Sequence, residues 1–446
     1  MKNYILHKET KPAPKECARL AKITLSRLYV FLEPLLETLN QVLDKRLVRT
    51  FYHLFVSILS LENSRHSLLV TRLGAHFLGE HQGWAGMKRI HRLLDSQKWM
   101  STLLDNFFEQ QAVAFATEVV ASGKWLLALW DDGEIEKHET EKGEGLCPVR
   151  SSKFKRLIRI RKGYYDPPTT KPAFVAGLHW LTVLLSGMDT APILFRSDCW
   201  SHRGPQAEGW YDRHVRLLKR CQELLGDTAL HVFDRGFAAT RWLSFLIGLQ
   251  CRFLIRWNGH YILLNSAGVK KKTCYLSIGK KATSTRMVWD MKQQVYRKAG
   301  VLWMRVTHPA YPDVPLTLII CRSGKMGRSP WYLLTSERVE NSRHAWKLVF
   351  AYSRRWLVES TFRYNKAELG IESIRVMTWE KRMKFIKIVM LVYLFLLWLM
   401  HLRKGVLVVL ILKHTSDKKG KRYRIASIPL YRLRDALIFL MKQEFG

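Results

Sequence analysis

The chain has 446 residues, enough for two or three domains with sizeable cores, and its 73 Lys and Arg outnumber 37 Asp and Glu to give a formal net charge of +36. That excess argues against an ordinary small-molecule enzyme and for a polyanionic partner, nucleic acid first and an anionic membrane surface second. The 7 cysteines are odd in number and scattered, with no C-x-x-C or Cys/His zinc spacing, so free thiols in a reducing compartment are expected.

In chain order, Lys2, His7, Lys8, Glu9 and Lys11 leave no room for an apolar signal-peptide core, so export is not expected. Residues 1–115 read as a helical, basic domain, with apolar residues at helical spacing through 43–61 and 68–77 and a cationic amphipathic helix over 87–100. From Lys124 the period changes. The apolar run 125–130 reads as a buried strand stopping at Asp131, Asp132 and Gly133. Strands follow over 174–185 and 192–195, then a helix over 215–225. The strand 229–233 ends at Asp234, Arg235 and Gly236, before a helix over 238–249 and a strand over 252–257. Residues 258–342 are rich in strand formers and turn signals and too long for a loop, so a β-rich insertion subdomain is expected. An unbroken run without Gly or Pro from about 343 to 366 predicts one helix. The order β-β-β-α-β-α-β, closed by that helix, is that of an α/β, ribonuclease-H-like mixed-sheet core, here residues 116–257 plus 343–412. Within it the apolar run 388–400 is too short to span a bilayer and reads as a buried core helix. Residues 413–446 form a helical C-terminal region suited to dimerisation or DNA contact.

Three acids stand where predicted elements would present them: Asp131 after a strand, Asp234 after a strand and Glu359 on the helix. Phosphodiester cleavage needs a deprotonated nucleophile and a neutralised leaving oxygen, which two Mg2+ ions roughly 3.5 to 4 Å apart supply. Such hard cations ask for carboxylate oxygens. Spacing leaves Asp131 and Asp132 both open as the first acid, with Asp131 favoured by its place at the strand end. On the predicted helix Tyr352, Arg355, Glu359 and Lys366 fall on one face, a carboxylate set among cations and a phenol. Arg363 lies on the same helix.

The spacing Y-x2-R-x3-E-x6-K formed by these four residues resembles the signature of cut-and-paste DDE transposases of the bacterial insertion-sequence-4 family. The segment Trp331-Tyr-Leu-Leu-Thr-Ser-Glu337 resembles that family's W-x-L-L-T-S-E segment, and a β insertion occurs in the family at this point in the topology. One departure is Asp131-Asp132-Gly133 where the family usually shows D-x-S/T. The resemblance implies catalysis by Asp131, Asp234 and Glu359 with two Mg2+ ions per site, Mn2+ substituting. It also implies a Trp331 that stacks on a base flipped out during hairpin formation, and phosphate contacts by Tyr352, Arg355 and Lys366. Arg235, Arg363 and the basic stretch 150–171, with Lys153, Lys155 and Arg156, would line the DNA path. Expected partners are double-stranded DNA, as terminal inverted repeats and target, and a second copy of the chain, in the nucleoid-associated cytoplasm of a bacterium. Two other readings stand beside it: a catalytically silent DNA-binding regulator descended from such an enzyme, and a membrane-surface protein.

Overall fold

The computed structural model describes residues 14–61, 68–137, 140, 142–151, 174–290, 295–323, 330–401, 405–415 and 430–445. Lys153, Lys155 and Arg156 lie outside them. Five helices open the described chain: α1 (Pro14–Val42), α2 (Lys45–Ser60), α3 (Val70–Leu78), α4 (Gly83–Asp95) and α5 (Thr102–Ala121). In α1 Leu28, Phe31, Leu32, Leu35 and Leu39 recur at three- and four-residue spacing, and all are buried. Phe31 lies 5.4 Å from the ring of Phe107 on α5, and 5.3 Å from both Phe395 and Trp398 on α10 (Trp379–Leu399). The opening helices thus share one apolar layer with a helix from the far end of the chain. Helices α3 and α4 cross at Gly74 and Gly86, where a Cβ on Gly74 would come within 2.5 Å of the Met87 nitrogen. Gly74→Ala must push two backbones apart and is expected to cost about 1 to 3 kcal/mol, read as a lower denaturation midpoint with the denaturant slope unchanged.

Among the described residues the sheet is mixed and has 12 strands. Its first part is β1 (Leu126–Glu136), β2 (Cys147–Arg150), β3 (Phe174–Ser186), β4 (Ile193–Trp200), β5 (Ala229–Phe233) and β6 (Arg252–Arg256). Helices α6 (Trp210–Leu225) and α7 (Thr240–Gly248) flank β5 in sequence. Residues 258–342 add β7 (Ile262–Leu264), β8 (Lys270–Lys272), β9 (Ser284–Asp290), β10 (Val295–His308), β11 (Tyr311–Ser323) and β12 (Trp331–Thr335). These strands continue the same sheet, since β12 pairs antiparallel with β6 through Leu333 to Thr335. Along the sheet the order is β2-β3-β1-β5-β6-β12-β11-β10-β7-β8, with β4 beside β3 and β9 beside β10.

Two differences from the expected elements matter for the site. Strand β1 does not stop at Asp131: antiparallel partner β3 carries the ladder on to Glu136, whereas its parallel partner β5 ends at Phe233. Asp131 therefore marks the point where one edge of β1 loses its neighbour. The single helix expected over 343–366 is two, α8 (Ser342–Ser353) and α9 (Trp356–Ala367). At the joint the main-chain bonds tighten to a three-residue pattern, with Arg355 N donating to Tyr352 O at 3.1 Å and Val358 N to Arg355 O at 3.0 Å. The side chain of Arg354 is drawn inward there, donating to the Ser186 hydroxyl at 2.7 Å and to the Thr190 carbonyl.

Helix α10 is buried along nearly its whole length, and no helix among the described residues is long and apolar enough to cross a membrane. Three of the basic residues near its start are buried and turn inward. Lys384 donates to the Ser96 carbonyl at 2.9 Å, Arg382 to the Glu144 carbonyl at 2.7 Å, and Lys387 to Asp198 at 2.7 Å. Helices α11 (Gly405–Thr415) and α12 (Leu430–Phe445) come last among the described residues, with Arg434 of α12 donating to the Leu61 carbonyl at 2.9 Å.

Candidate active site

Strands β1 and β5 run parallel with Leu126 opposite Ala229 and Leu129 opposite Val232. Continuing that register brings Asp131 level with Asp234 just past the end of β5, on neighbouring strands about 4.8 Å apart. Asp234 opens a short turn in which its Oδ1 accepts from Gly236 N at 2.6 Å, which fixes the carboxylate at the strand end. Glu359 arrives from above. Helix α9 approaches the sheet closely because Gly133 has no side chain: a Cβ there would sit 3.2 Å from the Phe362 ring. Phe362 in turn packs edge-on against Trp180, with centroids 4.7 Å apart, and Glu359 lies one turn before it on the same side.

Arg355 joins the acids. It donates to Asp131 Oδ2 at 2.7 Å and to Glu359 Oε1, so it lies between a strand carboxylate and a helix carboxylate. Burial, outweighed by Asp131, Tyr352 and Glu359, leaves the guanidinium more firmly charged than usual. Asp131 behaves in the opposite way. Burial is the main reason that its pKa rises from 3.8 to about 7; Arg355 opposes the rise, while Asp234, Glu359 and Asp132 add to it. Three acids thus act on one another electrostatically, and the cation already present does not compensate fully. The hydroxyl of Thr182, opposite Asp131 in the β1–β3 ladder, is buried and has no hydrogen-bond partner among the described residues. Hard carboxylate donors with surplus negative charge and an orphaned hydroxyl beside them fit a hard divalent cation. They do not form a tight cage for one ion, because Arg355 separates Asp131 from Glu359.

A carboxyl with a raised folded pKa binds protons more tightly in the native state than in the unfolded chain. Its contribution to stability is therefore expected to fall as pH rises from about 4 to about 7, and to level off above that. Denaturant titrations in chelator across this window are expected to show the decline in the parent, and a shallower one in Asp131→Asn.

Asp132 faces the other side of the sheet. Its Oδ2 accepts from Trp210 Nε1 at 2.9 Å, and its Oδ1 lies 2.9 Å from His214 Nε2. His214 also donates from Nδ1 to the Trp210 carbonyl at 2.7 Å and stacks on the Trp210 ring, centroids 3.8 Å apart. These contacts dock α6 onto the sheet.

Of the remaining predicted residues, Tyr352 lies beside Arg355 and the others stand further from the acids. Tyr352 is buried, 4% exposed, and burial raises its pKa. Its ring meets that of half-buried Trp331 edge-on at 5.0 Å. Lys366 turns away from Glu359 and pairs with Glu372 at 3.1 Å. Tyr352, Arg355 and Glu359 remain neighbours across the joint at 354–355, the Arg355 guanidinium lying 6.0 Å from the Tyr352 ring and donating to Glu359, whereas Lys366 is taken by Glu372. Arg363 is exposed and lies over the Trp356 ring at 5.2 Å, and Arg235 is exposed in the turn after Asp234. Sequence reasoning missed Thr182, which only the β1–β3 register brings beside Asp131.

Part of the chain matches a known family. Residues 208–395, which include Asp234 and Glu359 but not Asp131, match the family model described as "Transposase DDE domain". Together with the convergent acids, that match supports a DDE transposase, and with it DNA transposition and recombination. No curated protein matches the chain. Among solved structures the chain is similar to a piggyBac transposase, seen by cryo-electron microscopy in a synaptic complex with hairpin DNA. The identity is 12%, with 98% of this chain and 85% of that chain covered and a TM-score of 0.37, a likeness too distant to carry an argument.

Proposed function

We propose that this chain is a cut-and-paste DNA transposase whose ribonuclease-H-like core uses Asp131, Asp234 and Glu359 to hold two Mg2+ ions, with Mn2+ able to replace them. The observation that carries this reading is the meeting of three carboxylates from β1, the end of β5 and α9, where β1 loses its parallel neighbour. When bound, the ions supply Lewis-acid stabilisation of the leaving oxygen and a deprotonated water or 3′-hydroxyl. The chain supplies the rest. Asp131 is anchored within β1 and Asp234 at the end of β5, and Glu359 is held by the seat of Phe362 on Gly133, so the three keep their spacing through successive steps. Arg355 keeps Asp131 and Glu359 in register and neutralises part of their charge.

In this reading Arg235 and Arg363, both exposed, contact DNA phosphates, as do Lys153, Lys155 and Arg156. Trp331 receives a flipped base during hairpin formation, with Tyr352 buttressing its ring. Lys366 supports the α9 end through Glu372. The partners are the inverted repeats of the element's ends, target DNA and a second copy of the chain, in the bacterial cytoplasm. The intact acid set favours this over a catalytically silent regulator.

DNA binding tests the reading at its base. A chain of this charge engaging six to ten phosphates is expected to lose about 10^3- to 10^5-fold in affinity between 50 and 200 mM salt, read by fluorescence anisotropy of a labelled duplex. Salt-insensitive binding, or none at the lower concentration, would contradict it.

A further inference from the structure

We infer that Cys147, His179 and His202 form a binding site for a single thiophilic divalent cation of the zinc class, separate from the carboxylate cleft. The sheet register brings these distant residues together. Strands β2 and β4 follow one another along the same edge of β3, with Cys147 opposite Gly177 and Trp200 opposite His179. Alternation along β3 puts Gly177 and His179 on one face, so Cys147, His179 and Trp200 project together, and His202 lies in the bend just after β4.

The sulfur of Cys147 and one ring nitrogen from each histidine all lie within 4.8 Å of one another. Among the described residues no other group of three or more His, Cys, Asp or Glu side chains meets that spacing. Tetrahedral zinc, with Zn–S near 2.3 Å and Zn–N near 2.0 to 2.1 Å, asks for ligand atoms roughly 3.3 to 3.8 Å apart, within reach of small rotamer adjustments. The rings are already oriented. His179 stacks on Trp200 with centroids 4.3 Å apart and an interplanar angle of 24°, and the His202 ring lies 5.3 Å from it.

The donor set separates this site from the carboxylates: one thiolate and two imidazoles select a soft or borderline cation, whereas three carboxylates select Mg2+. The site also lies on the opposite face. Asp131 pairs with Thr182, whereas His179 shares its face with Leu181, the partner of Asp132. Cys147 is buried, His179 half-buried and His202 exposed, so an ion enters from solvent at His202 and keeps one position open for water. The thiol proton leaves as the metal–sulfur bond forms. Bound metal clamps β2 and the bend after β4 to the edge of β3.

The test uses full-length protein stripped with chelator and titrated with Co2+ alone. A thiolate-to-cobalt charge-transfer absorption is expected in the parent and in Glu359→Gln, disappearing on addition of Zn2+, which displaces the cobalt. Cys147→Ser is expected to abolish the band. His202→Ala removes an exposed side chain and keeps the proposal testable should Cys147→Ser misfold. It is expected to weaken Zn2+ binding by at least about 100-fold, with far-ultraviolet circular dichroism unchanged. Zn2+ is expected to raise the melting temperature of the parent and not of His202→Ala. Absence of the band in the parent, its persistence in Cys147→Ser, or unchanged Zn2+ affinity in His202→Ala would each overturn the site.

Discussion

Asp131→Asn is expected to reduce DNA strand cleavage by at least about 10^3-fold, whereas Asp132→Asn leaves it within about tenfold of the parent. The two residues are neighbours of the same type, so the contrast isolates direction rather than chemistry. Asp131 lies on the face shared with Glu359 and Arg355, and its acidity responds to Asp234 and Glu359. An amide there loses the charge that a divalent ion needs. Asp132 is engaged by Trp210 and His214, each 2.9 Å away, so its replacement loosens α6 against the sheet. The expected signature of Asp132→Asn is a loss of about 1 to 3 kcal/mol of stability, with cleavage retained at low temperature. Equal loss of cleavage in both variants, with both folded, would remove the assignment of Asp131 over Asp132.

Lys387→Met is expected to cost about 3 to 5 kcal/mol of folding stability, the largest effect of any single replacement away from the acids. Lys387 is buried, 4% exposed, and its ammonium donates to Asp105, to Asp198 at 2.7 Å and to the Ser197 carbonyl. Around it Arg196 reaches Glu109 at 2.7 Å and Asp198 at 3.1 Å, tying α5, β4 and α10 together. Burial raises Asp198, but Lys387, Arg196 and Arg213 outweigh it and hold the carboxylate far below its ordinary range. For Asp105 burial wins and the pKa rises. Methionine keeps the packing volume but leaves two acids without their principal cation. Adding Asp105→Asn to Lys387→Met is expected to recover part of the loss in urea titrations. A single-variant cost below about 1 kcal/mol would show that Arg196 alone suffices.

What the sequence made legible was the local part. The apolar run before Asp131, the short strand before Asp234 and the helix under Glu359 carry their own signals in periodicity, and each element is present. Less legible was whatever depends on a distant partner. The β1 ladder continues past Asp131 because β3 is long enough to pair with it, and the helix divides at Arg354 because Ser186 and Thr190 draw that side chain inward. Neither change has a local breaker residue. Nothing local marks Lys384 and Lys387 as buried: the Ser96 carbonyl that accepts from Lys384, and the Ser197 and Asp198 oxygens that accept from Lys387, lie about 190 or more positions away in sequence. Cys147, His179 and His202 carry no zinc spacing at all; only the edge of β3 brings them together.

The most direct test of the central claim is cleavage of a labelled linear DNA carrying the element's flanking inverted repeats, with Mg2+ or with chelator, by the parent and by Glu359→Gln. Cutting at the repeat ends only with Mg2+, lost in Glu359→Gln while that variant still binds the DNA, is the expected result. Cutting that survives chelator or the Glu359→Gln replacement would contradict the account.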